Sequence, residues 1–261
     1  MRTPWILCSL LALPASSVLA AESPWAGTWK LDQTRSHLTG ETMSISKGAG
    51  GLMHFSDGST TNYDFAVDGK EYKAWANRTV TWTTPAKNTW DSVIKADGKV
   101  LASGHRELSA DGKTLTETWT GTRPDGSSYH DEVVLARESG TDGLVGTWRT
   151  TKVSGGGGPQ EFVISAPAAG VLHYEVPDMK ASAEGRLDGS DNALTGPTMP
   201  PGSTISFEAL SPTKIRYVMK VNGKTDGMGE QTIAADGRSF SDVSWSPGKE
   251  SEKTTGVYVK Q

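Results

Sequence analysis

Five histidines, His37, His54, His105, His130 and His173, are the side chains best suited to ligate a metal or move a proton. His105 and Glu107 would share one strand face, and His130 has Asp131 and Glu132 beside it. A metal centre needs three or more converging ligands. No such spacing occurs, so no metal is expected, and the histidines read as strand residues. A second set is Trp75, Trp82, Trp90 and Trp119 together with Arg106 and Glu117. Four indoles and one charge pair could line a ligand cavity, with the pair as its polar anchor. They could equally fill a small barrel solid, with the pair at a wet mouth. The chain has no Gly-x-Ser-x-Gly, zinc-protease or calcium-loop motif. The glycine run Gly155 to Gly158 lacks the Lys-Ser or Lys-Thr of a phosphate loop and reads as an ordinary loop. No catalytic residue and no cofactor is therefore expected, and the chain is read as a non-enzyme.

Composition narrows the class of protein. Arg2 precedes an apolar run from Trp5 to Leu13, and small residues follow up to Ala21. This is the layout of a secretory signal peptide over residues 1–21, cleaved near Ala20 or Ala21, so a periplasmic or secreted bacterial protein is expected. The run is too short to span a bilayer as a helix. The single cysteine, Cys8, lies inside that run, so the exported chain would have no disulfide. The whole chain carries 26 basic and 30 acidic side chains. An acidic balance disfavours nucleic acid as a partner. With no second long apolar stretch, no integral membrane segment is expected after processing. The sequence names no protein partner.

Two halves of the chain repeat. Gly27-Thr28-Trp29-Lys30 returns as Gly146-Thr147-Trp148-Arg149, and Gly51-Leu52-Met53-His54-Phe55 as Gly170-Val171-Leu172-His173-Tyr174, both at an offset of 119. Later matches, such as Ala110-Asp111-Gly112-Lys113 with Ala235-Asp236-Gly237-Arg238, fall at an offset of 125. Within each copy, short runs of β-branched and aromatic residues alternate, as in Thr79 to Thr84. Nine Asp-Gly pairs and one Asn-Gly pair punctuate them. The expected fold class is all-β: two tandem small antiparallel meander barrels. The expected domains are residues 22–138 and 144–261, joined by a polar linker at 139–143.

The hairpin at Asp111-Gly112 sets a register. A two-residue turn opposes Leu108 to Leu115 and Arg106 to Glu117, placing the charge pair on the apolar face, whereas a three-residue turn with a glycine bulge would oppose His105 to Glu117 and split Leu108 from Leu115 across the sheet. The second copy would oppose Ile233 to Phe240 and Gln231 to Asp242.

The opening Gly-x-Trp of each copy resembles the lipocalin and calycin signature. The first copy also resembles a family of secreted bacterial lipocalin-like proteins of unestablished activity. That likeness rests on Gly27 to Asp32 with Ser36, Val67-Asp68-Gly69-Lys70-Glu71-Tyr72 and Ser109 to Thr116. The resemblance implies that the tryptophan closes one barrel end and that a basic residue of the last strand packs on it. Each unit closing its own barrel would place Trp29 near Arg137 and Trp148 near Lys260. The expected function is binding of a small or apolar molecule in the first barrel. The alternative is a structural or protein-interaction module with filled barrels, and an enzyme on a calycin-like barrel ranks third. An open cavity of roughly 300 Å³ or more in the first barrel would favour the ligand reading.

Overall fold

The computed structural model describes residues 23–58, 61–155 and 159–261, so the expected leader lies outside the described residues. Among these there is no α-helix, only two short 3₁₀ turns at Ala49–Gly51 and Pro177–Met179. Twenty strands follow in chain order. The first is β1 (Gly27–Leu31). Ten more are β2 (Thr42–Lys47), β3 (Met53–Ser56), β4 (Asn62–Phe65), β5 (Glu71–Lys73), β6 (Arg78–Thr83), β7 (Thr89–Ala96), β8 (Lys99–Leu108), β9 (Thr114–Thr122), β10 (Ser128–Asp142) and β11 (Val145–Ser154). The last nine are β12 (Glu161–Ala168), β13 (Val171–Val176), β14 (Ala181–Arg186), β15 (Asp188–Ala193), β16 (Ser203–Ser211), β17 (Lys214–Val221), β18 (Lys224–Ile233), β19 (Ser239–Trp245) and β20 (Thr254–Lys260). They form two nearly closed, ten-stranded antiparallel sheets in tandem. The all-β, two-barrel expectation is met.

The barrels are not the two sequence repeats. The first sheet runs β4-β3-β2-β11-β10-β9-β8-β7-β6-β5, and the second runs β14-β13-β12-β1-β20-β19-β18-β17-β16-β15. The repeats have exchanged their first strands. β1 lies between β12 and β20, pairing Gly27 with Ile164 and Trp29 with Lys260. β11 lies between β2 and β10, pairing Trp148 with Met43 and Arg137. The cores are exchanged accordingly. Leu144 and Trp148 are buried with Phe65, Trp82 and Leu115, while Trp25 and Trp29 are buried with Phe162, Phe240 and Tyr258.

Connection length explains the choice. The segment expected as a linker, 139–143, continues β10 and turns straight back into β11, with Asp142 opposite Val145. A tight hairpin adds ladder bonds and closes a minimal loop. Carrying the chain across to the other barrel within five residues would forgo both. β11 therefore takes the place beside β10, and β1 takes the vacant place beside β20. Two corrections follow. The first barrel spans 42–154 rather than 22–138, and 139–143 is a hairpin rather than a linker.

The expected latch is corrected in the same way. Arg137 lies over Trp148, at 4.0 Å from Cζ to the ring centroid, and Lys260 lies over Trp29, at 5.1 Å from Nζ. The chemistry of the latch is as read, but each indole meets the cation of the other repeat. The motif glycine is what lets the cation through. Gly146 has φ +151°, and a Cβ there would stand 2.9 Å from an Arg137 Nη1 and closer still to the Ser139 carbonyl. Gly27 has φ +142°, and a Cβ there would stand 2.6 Å from Lys260 Cε. Both indoles donate to the carbonyl four residues earlier, Trp29 to Trp25 and Trp148 to Leu144, each at 2.9 Å.

The turn signals mostly hold. Asp97-Gly98 and Asn222-Gly223 have both residues at positive φ, as a two-residue hairpin turn requires. Asp226-Gly227 instead lies inside β18, and Asp188-Gly189 sits at an irregularity opening β15.

Trp29→Ala and Trp148→Ala should each cost about 3–5 kcal/mol. Hydrogen exchange separates them. Trp29→Ala should deprotect strands within 161–260, and Trp148→Ala strands within 42–154. The reverse assignment would refute the exchange.

Candidate functional site

The deepest polar feature of the first barrel is built on one hairpin. β8 and β9 pair with Leu108 opposite Leu115 and Arg106 opposite Glu117, the register expected from sequence. The turn is of another kind. The amide of Gly112 bonds to the carbonyl of Ser109 and that of Ser109 to the carbonyl of Thr114, so the loop is wider than two residues yet keeps the register. The second copy has the matching pairs, Ile233 opposite Phe240 and Gln231 opposite Asp242.

Arg106 is 2% exposed and Glu117 6% exposed, which places the pair inside the barrel rather than at a wet rim. Arg106 Nε donates to Glu117 Oε1 at 2.7 Å, and its Nη1 donates to Ser92 Oγ at 2.8 Å. The guanidinium lies between two indoles, 4.2 Å from the Trp82 ring and 4.7 Å from that of Trp119. Trp119 Nε1 donates to the remaining carboxylate oxygen at 3.1 Å. A buried charge is tolerable only when paired and hydrogen-bonded, and here both partners are. Gly104, opposite Trp119, permits this packing, since a Cβ there would stand 2.8 Å from the indole.

Of the six residues expected at the site, Trp82, Arg106, Glu117 and Trp119 converge. Trp75 and Trp90 pack against the same core, but Trp75 joins it through Tyr63, with ring centroids 5.9 Å apart. Trp82 stacks on Phe65 at 4.5 Å. The indoles therefore pack as core more than as the wall of an apolar cavity. Burial pushes the Tyr63 hydroxyl up to about 12. Among the described residues, Trp82 Nε1 is buried with no acceptor at hydrogen-bonding geometry.

Above Glu117 the barrel opens into a cavity of about 200 Å³. Glu41, Thr42 and Met43 form one wall, Val133 and Leu135 of β10 another, and Asp57 contributes from beyond β3. The third wall is the β19–β20 loop of the other barrel, through Ser246, Lys249 and Glu252. Lys249 Nζ donates to Thr42 Oγ1 at 3.0 Å and pairs with Glu252 at 3.2 Å, while Thr42 N donates to Glu252 at 2.9 Å. Desolvation in this concave mouth, reinforced by Glu252 and Asp57, raises the Glu41 carboxyl above its ordinary value, and Lys249 opposes the rise. Lys249, Glu252 and Glu41 line this cavity, and sequence reading did not single them out. Lys249 and Thr42 are 207 residues apart, and no motif joins them. A larger furrow of about 360 Å³ lies where the chain crosses between barrels, lined by Gln33, Ser36 to Thr39 and Thr151 to Val153.

The second barrel replaces the ion pair with neutral partners. Gln231 donates to Asp242 at 3.3 Å, and Tyr217 donates to Asp242 at 3.0 Å. Burial outweighs these bonds and raises the Asp242 carboxyl to about 6. Gly229, the counterpart of Gly104, makes room for the Tyr217 hydroxyl, which a Cβ would approach at 2.5 Å.

Three of the five histidines pair with carboxylates on exposed strand faces. His54 meets Asp64 at 2.7 Å, His173 meets Glu175 at 3.1 Å, and His105 meets Asp91 at 2.6 Å and Glu107 at 3.3 Å. The Asp91 hydrogen bond raises the His105 pKa. Among the described residues no group of three or more His, Cys, Asp or Glu side chains could hold a metal ion. No helix among them is long and apolar enough to cross a membrane. Comparison of the chain with protein-family models, curated proteins and solved structures yields no match.

Two measurements probe these interiors. Arg106→Met should cost about 3–5 kcal/mol by stranding Glu117. In a cycle with Glu117→Gln, the coupling should reach roughly 2 kcal/mol, whereas near-additivity would mean a solvated pair. For Asp242 the folded state holds the proton more tightly than the unfolded chain. Its contribution is therefore full below the unfolded value of 3.8 and is lost as pH rises through about 6. Since part of its surface still meets solvent, roughly 2 kcal/mol is expected. Unfolding curves of the parent chain and Asp242→Asn between pH 4 and 7 should diverge by that amount. Parallel curves would reject the assignment.

Proposed function

We propose that the chain is an exported, non-catalytic binding protein of lipocalin-like build, whose first barrel takes one small, polar, positively charged molecule at its mouth. The observation that carries this reading is the opening above Glu117, about 200 Å³ in volume and lined by Glu41, Asp57 and Glu252. Room for roughly half a dozen waters at about 30 Å³ each suits a small amine better than a lipid-sized ligand. Lys249 already places an ammonium there, against Thr42 and Glu252. A cation of similar size entering the mouth would find the same acceptors, and an anion would face several carboxylates. The apolar form of the ligand reading has less support. The volume falls below the roughly 300 Å³ of ordinary ligand pockets, and the indoles are spent on each other and on Arg106. That same packing favours the second reading, a scaffold of filled barrels that works through its outer surface.

Titration by NMR separates the two. Ethanolamine and 1,3-diaminopropane should shift the amides of Thr42, Met43 and Ser246 to Glu252, and acetate should not. Lys249→Met removes the internal competitor and should tighten amine binding by about tenfold, while Glu41→Gln should weaken it. No shift in either chain at about 10 mM probe would leave the filled scaffold.

A further inference from the structure

The second barrel is completed by a strand that no hairpin ties to it. The neighbours of β1 are β12 and β20, reached at residues 161–164 and 258–260. β11, in the equivalent place of the first barrel, is joined to β10 by a tight turn. The latches differ in the same sense. Arg137 donates from Nη1 to Val145 O at 2.8 Å and from Nη2 to Gly143 O at 2.6 Å while stacked on Trp148. Lys260 is exposed, and its ammonium makes no hydrogen bond among the described residues. β1 is also short, with five residues against ten in β11.

The tether from β1 to the first barrel is shorter than its residue count suggests. Beyond Leu31 the chain keeps pairing with β20, through Asp32 N to Val257 O at 2.7 Å and His37 N to Thr255 O at 2.8 Å. Gly40 N already bonds to Thr150 O of β11 at 2.9 Å. Only Leu38 and Thr39 lie between the last residue held by one barrel and the first held by the other. Short hinge loops favour exchange of the attached element between molecules over closure within one. Order of synthesis adds to this. Residues 42–154 hold every strand of the first barrel, so that barrel can close early. β1 must wait for Tyr258 to Lys260, made long after Ser154 ends the first barrel. Until then β1 and its place in the second barrel are both unfilled. Docking in another molecule buries the same Trp29 and forms the same backbone bonds, so only the tether distinguishes the two outcomes.

We propose that the slot between β12 and β20 is an intermolecular docking site for the Trp29-bearing strand of a second copy of this chain, giving a homodimer by reciprocal β1 exchange.

The test uses the whole chain in a Cys8→Ser background. Thr28 and Val163 face each other across β1 and β12. One preparation carries Thr28→Cys and the other Val163→Cys. They are mixed in denaturant, refolded together over a range of concentrations and oxidised. Exchange predicts a disulfide-linked species of twice the chain mass, taking in roughly half of the dimers formed from a random mixture. Mass photometry of the Cys8→Ser chain, which needs no new cysteine, should show the dimer fraction rising with refolding concentration. Six Gly/Ser residues inserted between Leu38 and Thr39 should lower that fraction by about tenfold, because a longer tether favours self-docking. A chain that stays monomeric at every concentration overturns the proposal. So does a dimer in which the two introduced thiols fail to link, because its strands would not be exchanged.

Discussion

Everything in this molecule hangs on how the Gly-x-Trp strand, the first of each repeat, is seated against the strand that carries its cation. The one carries a buried indole, its neighbour carries a cation over that indole, and a glycine two residues before the indole clears the path for the cation. Trp148 under Arg137 and Trp29 under Lys260 are two instances of this one device. Without it each sheet would expose two strand edges and a hydrophobic interior. Because the two closing strands share the Gly-Thr-Trp-basic motif, the device does not itself say which strand closes which barrel. Connection length says that, and the hairpin from β10 into β11 settles it. β1 then fills the closing place left beside β20.

The two barrels also touch directly. Arg78 Nη2 bonds to Thr198 O at 2.7 Å, and Arg123 stands 3.5 Å from Asp178, while the β19–β20 loop leans over the first barrel's mouth. The opening above Glu117 is therefore a property of both repeats together. Glu117 of one repeat lines it, and its cover is Lys249 and Glu252 of the other. A fragment holding the first barrel alone would have a wider and differently charged mouth.

The two interiors show what duplication conserves and what it releases. The inward pair two residues beyond the apolar pair at the hairpin stays polar in both barrels. In the first it is a charge pair held between indoles, and in the second an amide with a carboxyl whose pKa burial lifts. The glycine opposite the neighbouring aromatic stays too, because a side chain at Gly104 or Gly229 would collide with Trp119 or Tyr217. Stable burial of a polar pair requires satisfied partners, and each barrel meets that requirement with different groups.

The sequence by itself determined the fold class, the duplication and the inward register of Arg106 with Glu117. Each is a local or periodic property. Alternation has a period of two, Asp-Gly turns mark the hairpins, and a register slip would have turned Leu108 and Leu115 to opposite faces. The chemistry of the latch, an indole with a cation, is what the resemblance of each Gly-x-Trp opening to the lipocalin signature implies. Only the tertiary structure decided the partners. Gly-Thr-Trp-Lys and Gly-Thr-Trp-Arg fit either barrel, so pairing rests on loop-closure entropy, which depends on where the chain must travel next. The same holds for Lys249 and Thr42, which meet across the two barrels with no motif between them. Contacts that join distant parts of a chain are set by the path of the whole backbone, and residue type alone leaves them open.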